Sequence, residues 1–80
     1  MKIDSDKVFR LARKHLGDNS SARACMADAM RQQSEGNLDL AIKWALRSLA
    51  HSIGICSPDY ALAFKASGVD GEIKLVSVWP

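Results

Sequence analysis

Residues 38–53, LDLAIKWALRSLAHSI, constrain the fold more than any other stretch of the chain. Asp39, Lys43, Arg47 and His51 recur there at strict four-residue spacing. On a helix, residues four apart lie one above the other, so these side chains form one narrow polar stripe. The remainder is apolar or small, from Leu38 and Leu40 through Trp44 and Leu49 to Ile53. A surface helix normally shows the reverse, an apolar stripe on a polar cylinder. The pattern predicts a helix covered on two or three sides, the centre of a small domain.

Eighty residues make one globular domain, 1–80. With 48% apolar residues the chain is not of disordered composition. A chain this short buries a modest share of its surface, so it depends on tight helix packing or on a partner. The opening MKIDSDKVF turns charged at once and lacks the apolar core of a signal peptide. No apolar run reaches bilayer-spanning length. The expectation is a cytoplasmic protein with no membrane association. Cys25 and Cys56 then read as reduced, buried small hydrophobes rather than a disulfide.

Asp4 is placed to cap a first helix, with Ile3 and Val8 as a hydrophobic staple. Val8, Leu11, Ala12, His15 and Leu16 share its apolar face, while Lys7, Arg10 and Lys14 share the other, with Arg13 beside them. Gly17 ends it, and DNSS opens a second helix over 21–35 that buries Ala22, Cys25, Met26, Ala29 and Met30. Glu35-Gly36-Asn37 is a tight break, so the second and third helices form an antiparallel hairpin. The run EGNLDLAIKWALRSL resembles the second half of a tetratricopeptide motif. Gly36 and Asn37 stand where that family turns. Leu38, Ala41, Ile42, Ser48 and Leu49 stand where its second helix packs, and Ala29 matches a small position on its first. Asp28 and Gln32 occupy positions that are large and apolar in the family, and no second copy follows. The resemblance, over residues 29–49, implies a protein-binding surface.

The C-terminal third admits two readings. Ser57 as cap, Pro58 in the first turn and Gly68 at the end frame a short fourth helix. Alternatively, Asp70-Gly71 is a two-residue hairpin turn. Pairing outward from it brings Leu62, Phe64 and Ala66 onto one face with Ile73, Leu75 and Trp79, and Lys65 onto the other with Glu72 and Lys74. One apolar face in a single register is what a sheet packed on helices needs. The fold expected is therefore α+β, a three-helix bundle with a central third helix and a C-terminal β-hairpin. The alternative is all-α, with a short fourth helix and one strand.

No motif for chemistry accompanies this fold. His15, Cys25, His51 and Cys56 lack the close pairing that zinc sites use, so no metal is expected. Cys56 with His51 is the one nucleophile and base close in sequence, and Cys56 follows an apolar run that argues for burial and low reactivity. There is no glycine-rich phosphate loop, paired-carboxylate signature or cofactor fingerprint. The reading is a protein that is not an enzyme and carries no cofactor.

Charge and spare apolar surface point to docking. Up to Arg23 the chain holds six cations against three anions, a net of +3, and the remainder is −1. Lys7, Arg10, Arg13 and Lys14 are the candidate basic rim; Trp44 and Trp79 are the candidate apolar anchors. A core this small does not hide Trp44, Leu40, Trp79 and Val78 together, and the strand expected over 73–79 would expose an edge. The expected partner is a protein or a second copy of the chain, giving a homodimer. The alternative is a nucleic-acid accessory protein using the basic face of the first helix. In size and style the chain is similar to phage or mobile-element inhibitors of the anti-CRISPR type, which implies docking on a host complex and blocking it.

Overall fold

The computed structural model of the chain describes residues 5–56 and 59–76. Five helices follow in order: α1 (Ser5–Lys14), α2 (Ser20–Ser34), α3 (Leu38–Ser52), α4 (Tyr60–Ser67) and α5 (Asp70–Val76). Helix α3 is where the others meet, packing against α1, α2 and α4; α5 rests on α1 and α4.

Helix α2 starts at Asn19, whose side chain accepts from the Ala22 amide. That satisfies one of the donors a helix start leaves open. The Asn19 amide also donates to the His51 carbonyl at 3.1 Å, tying the start of α2 to the end of α3. At the other end Gly36 takes φ +84, and the Asn37 amide donates back to Gln32 at 2.9 Å. The reversal makes α2 and α3 antiparallel. Ser48 and Ala22, equidistant from Glu35, meet across the pair, the Ser48 hydroxyl donating to the Ala22 carbonyl at 2.7 Å. Ala22, Ala29, Ala41, Ala45 and Ser48 are all fully buried, so small side chains let the two backbones approach closely.

The polar stripe of α3 lies where expected at Asp39, Lys43 and Arg47, which are exposed, while His51 is half-buried. Its apolar cover is incomplete, since Leu38 and Leu40 remain about half exposed. On α1 the buried residues are Val8, Phe9, Leu11 and Ala12. Phe9 is a core residue that the apolar-face reading omitted. Two burial expectations fail. Met30 is 48% exposed near the end of α2, and Cys56 is exposed. Met30 adjoins the fully buried Ala29 but faces solvent, and Cys56 lies past the end of α3, where apolar spacing no longer reports a covering partner. The cap at Asp4, its staple at Ile3, the positions of Ser57 and Pro58, and Trp79 lie outside the described residues.

The C-terminal β-hairpin is not present: residues 60–67 and 70–76 are helical, and the described residues contain no strand. Local hydrogen bonds decide it. Asp59, and not Ser57, caps α4, its side chain accepting from the Leu62 amide at 3.2 Å. Gly68, at φ +86, closes α4 in the left-handed conformation that glycine adopts without strain. Asp70 and Glu72 then fall in the first turn of α5, where carboxylates suit the helix dipole. The hairpin register depended on Phe64 and Ile73 sharing an apolar face, and both are buried here too, at 2% exposure. Over so few residues, two short helices bury the same anchors as two strands, and the caps separate the two readings.

Candidate docking groove

Lys43, Trp44 and Arg47 stand three, four and seven residues after Leu40, so the four share a side of α3. With Tyr60, at the start of α4, they line a shallow groove of about 440 Å³. Each wall is held from behind. Trp44 and Tyr60 are partly buried and pack on the core. The Tyr60 ring stacks on Phe64, centroids 5.9 Å apart and planes 22° apart. The guanidinium carbon of Arg47 lies 5.4 Å from the Trp44 ring centroid, one helical turn away, a cation over an aromatic face. Leu40 also borders a second hollow of about 360 Å³ with Gly36, Asn37, Leu38 and Asp39. The surface of the groove thus continues to the α2–α3 turn.

The groove's charged side chains are both cations. Among the described residues neither Lys43 nor Arg47 has a carboxylate partner, whereas Arg31 pairs with Asp28 at 3.1 Å and Lys14 with Glu72 at 3.4 Å. Glu72 also receives His15 Nε2 at 3.0 Å; an ionised carboxylate only accepts, so the ring nitrogen donates. The His15 hydrogen bond, then Lys14, holds the Glu72 carboxyl below its ordinary range. This cluster pins α5 to the end of α1.

Of the candidate contact residues, Trp44 sits in the groove and Trp79 lies outside the described residues. Lys7, Arg10, Arg13 and Lys14 are exposed on α1 but line no part of it. Arg13 lies over the Phe9 ring at 6.0 Å. The cations beside Trp44 come instead from α3's own stripe. Tyr60 was not anticipated, and its sequence neighbourhood carried no signal, because its position depends on how α4 returns to α3.

The groove's side chains offer two cations, two aromatic rings and a leucine. Cys25 is buried on the inner face of α2, and burial, opposed by Arg47, pushes its thiol up. Among the described residues no cluster of His, Cys, Asp and Glu is grouped to hold a metal, and no helix is long and apolar enough to cross a membrane. Asp28 and Gln32, the departures from the tetratricopeptide pattern, make polar contacts: Asp28 with Arg31, and Gln32 accepting from the Asn37 amide side chain at 2.9 Å. No protein family, curated protein or solved structure matches the chain.

Proposed function

We propose that this chain is a non-enzymatic protein-docking module and that the groove around Trp44 is its working face. The observation that carries the reading is contiguity. Leu40, Trp44 and Tyr60 form one apolar surface flanked by Lys43 and Arg47. Interfaces take most of their affinity from such aromatic and arginine anchors. In its finer form the proposal is a cytoplasmic inhibitor of phage or mobile-element origin that docks on a host complex in the manner of anti-CRISPR proteins. Its support is small size, free cysteines and spare apolar surface. Capture from a native lysate, read by mass spectrometry, with wild-type chain and Trp44→Ala in parallel, tests it. A partner retained by the first and lost by the second is expected, and sedimentation at micromolar concentration reports a homodimer if the partner is a second copy.

A second reading rests on the exposed cations of α1. If the chain stays monomeric, captures no protein and binds nucleic acid with steep salt dependence, and Lys7, Arg10 and Lys14 neutralised together abolish that binding, α1 is the working face and the docking proposal fails.

A further inference from the structure

Building on the docking reading, we infer that the groove's occupant is an acidic segment of a partner protein. An apolar side chain of that segment seats between Leu40, Trp44 and Tyr60, and its carboxylates reach Lys43 and Arg47. Charge is the first argument. Both charged side chains of the lining are cations without a carboxylate partner among the described residues, so the groove itself presents positive charge beside its apolar floor. Arg47 is also pre-oriented. Its guanidinium is held over Trp44, so less side-chain freedom is lost when a carboxylate meets its planar fork. Size is the second argument. From Leu40 to Arg47 is two helical turns, a rise of about 10 Å, which matches two turns of a helical segment or a few extended residues.

The same geometry disfavours other occupants. A second copy laid symmetrically on this face would bring two Lys43 and two Arg47 to one seam, and like charges in contact weaken binding. Single-stranded nucleic acid needs open ring faces for its bases. Here Arg47 lies over one face of Trp44, and Tyr60 is stacked on Phe64.

A randomised peptide library displayed and selected against the full-length chain tests the inference. The enriched peptides are expected to combine carboxylates with a large apolar residue. Their affinity should fall about tenfold or more in Trp44→Ala and when the peptide's acids are replaced by their amides. The double variant Lys43→Glu, Arg47→Glu changes two exposed residues, and circular dichroism checks that it keeps its helices. It should reject the acidic peptides and enrich basic ones, a gain that misfolding does not imitate. Enriched peptides that are neutral or basic, or that ignore these substitutions, overturn the acidic occupant while leaving docking at another surface intact. An oligothymidylate that displaces the peptides from the wild-type groove with higher affinity also overturns it. No enrichment, together with a strict monomer and no captured protein, removes the docking reading itself.

Discussion

Ser48→Leu is the sharpest probe of the architecture. Ser48 is fully buried on α3, and its hydroxyl reaches the Ala22 carbonyl of α2 at 2.7 Å. The surrounding interface is alanine-rich, with Ala22, Ala29, Ala41 and Ala45 at zero exposure, so little room is left for a larger side chain. Forcing extra methylene volume into such packing costs about 1–3 kcal/mol. The lost hydrogen bond adds about 0.5–1.5 kcal/mol. A loss of about 2–4 kcal/mol follows, against a total stability of about 4–12 kcal/mol for a domain of this length. At about 4–8 °C per kcal/mol, Tm falls by about 10–30 °C. Ser48→Ala is the control. It removes only the hydroxyl, and the Ala22 carbonyl keeps its partner one turn along α2, so the loss is about 1 kcal/mol. Urea unfolding followed by circular dichroism reads both as shifts in midpoint at unchanged slope. If Ser48→Leu unfolds together with Ser48→Ala, the helices do not approach closely at this position and the antiparallel packing described here is wrong.

Three further outcomes follow from the same geometry. Amides of α3 from Ala41 to Ala50 should exchange only through global unfolding, because α1, α2 and α4 all pack on α3, and Leu49→Ala, at a fully buried site, should cost about 2–5 kcal/mol; rapid exchange in this stretch contradicts a central α3. Gly68→Ala should destabilise, since it forces a side chain into φ +86, whereas Gly71→Ala, inside α5 with open space around it, should be neutral or stabilising by about 0.5–1 kcal/mol; the opposite ranking restores the Asp70-Gly71 turn. Glu72 has a lowered carboxyl, so its contribution to stability is whole above its unfolded pKa and drains away as pH falls through the folded one. The difference in urea midpoint between wild type and Glu72→Gln should therefore close as pH drops below the carboxylate range, and an unchanged difference there removes the His15–Glu72 clasp from the account.

The helical half of the fold was legible because its signals are local and repeated. Gly17, Asn19 and Gly36 punctuate the chain, and Ala22, Cys25, Met26 and Ala29 repeat at helical spacing over about two turns. Met30 continues that spacing but is exposed beside the fully buried Ala29, and periodicity alone does not say how wide the covered face is. Phe9 was missed because it flanks the apolar face already satisfied by Val8 and Ala12, and only the arrival of further elements covers it. The C-terminal error has another cause. Phe64, Val69 and Ile73 are buried in either reading, so their pattern did not separate strand from helix. What separated them was Asp59 as a cap and Gly68 as a left-handed stop, and Asp70-Gly71 offered a competing turn of equal strength. The groove was half legible. Trp44 and Leu40 stood out as surplus apolar surface and Lys43 and Arg47 as part of the stripe, but Tyr60 joins them only through tertiary packing.

The two short C-terminal helices also account for the groove. A hairpin laid over the bundle would have offered a broad apolar sheet to cover α3. Two short helices do not. Helix α4, with eight residues, is about 12 Å long, whereas α3, with fifteen, is about 22 Å. The left-handed turn at Gly68 then directs α5 away from α3 and onto α1, where Glu72 meets Lys14 and His15. Among the described residues, nothing therefore covers the Leu40–Arg47 side beyond Tyr60. Half-exposing a leucine forgoes about 1 kcal/mol of burial, and Leu38 and Leu40 do so together in a domain with about 4–12 kcal/mol to lose. Scattered exposed leucines are ordinary on protein surfaces. Met30 and Leu62 are exposed too, yet neither lines the groove. Leu40 differs because it abuts two aromatic rings and two cations without carboxylate partners, so one partner segment can cover the apolar surface and neutralise the charge in the same contact.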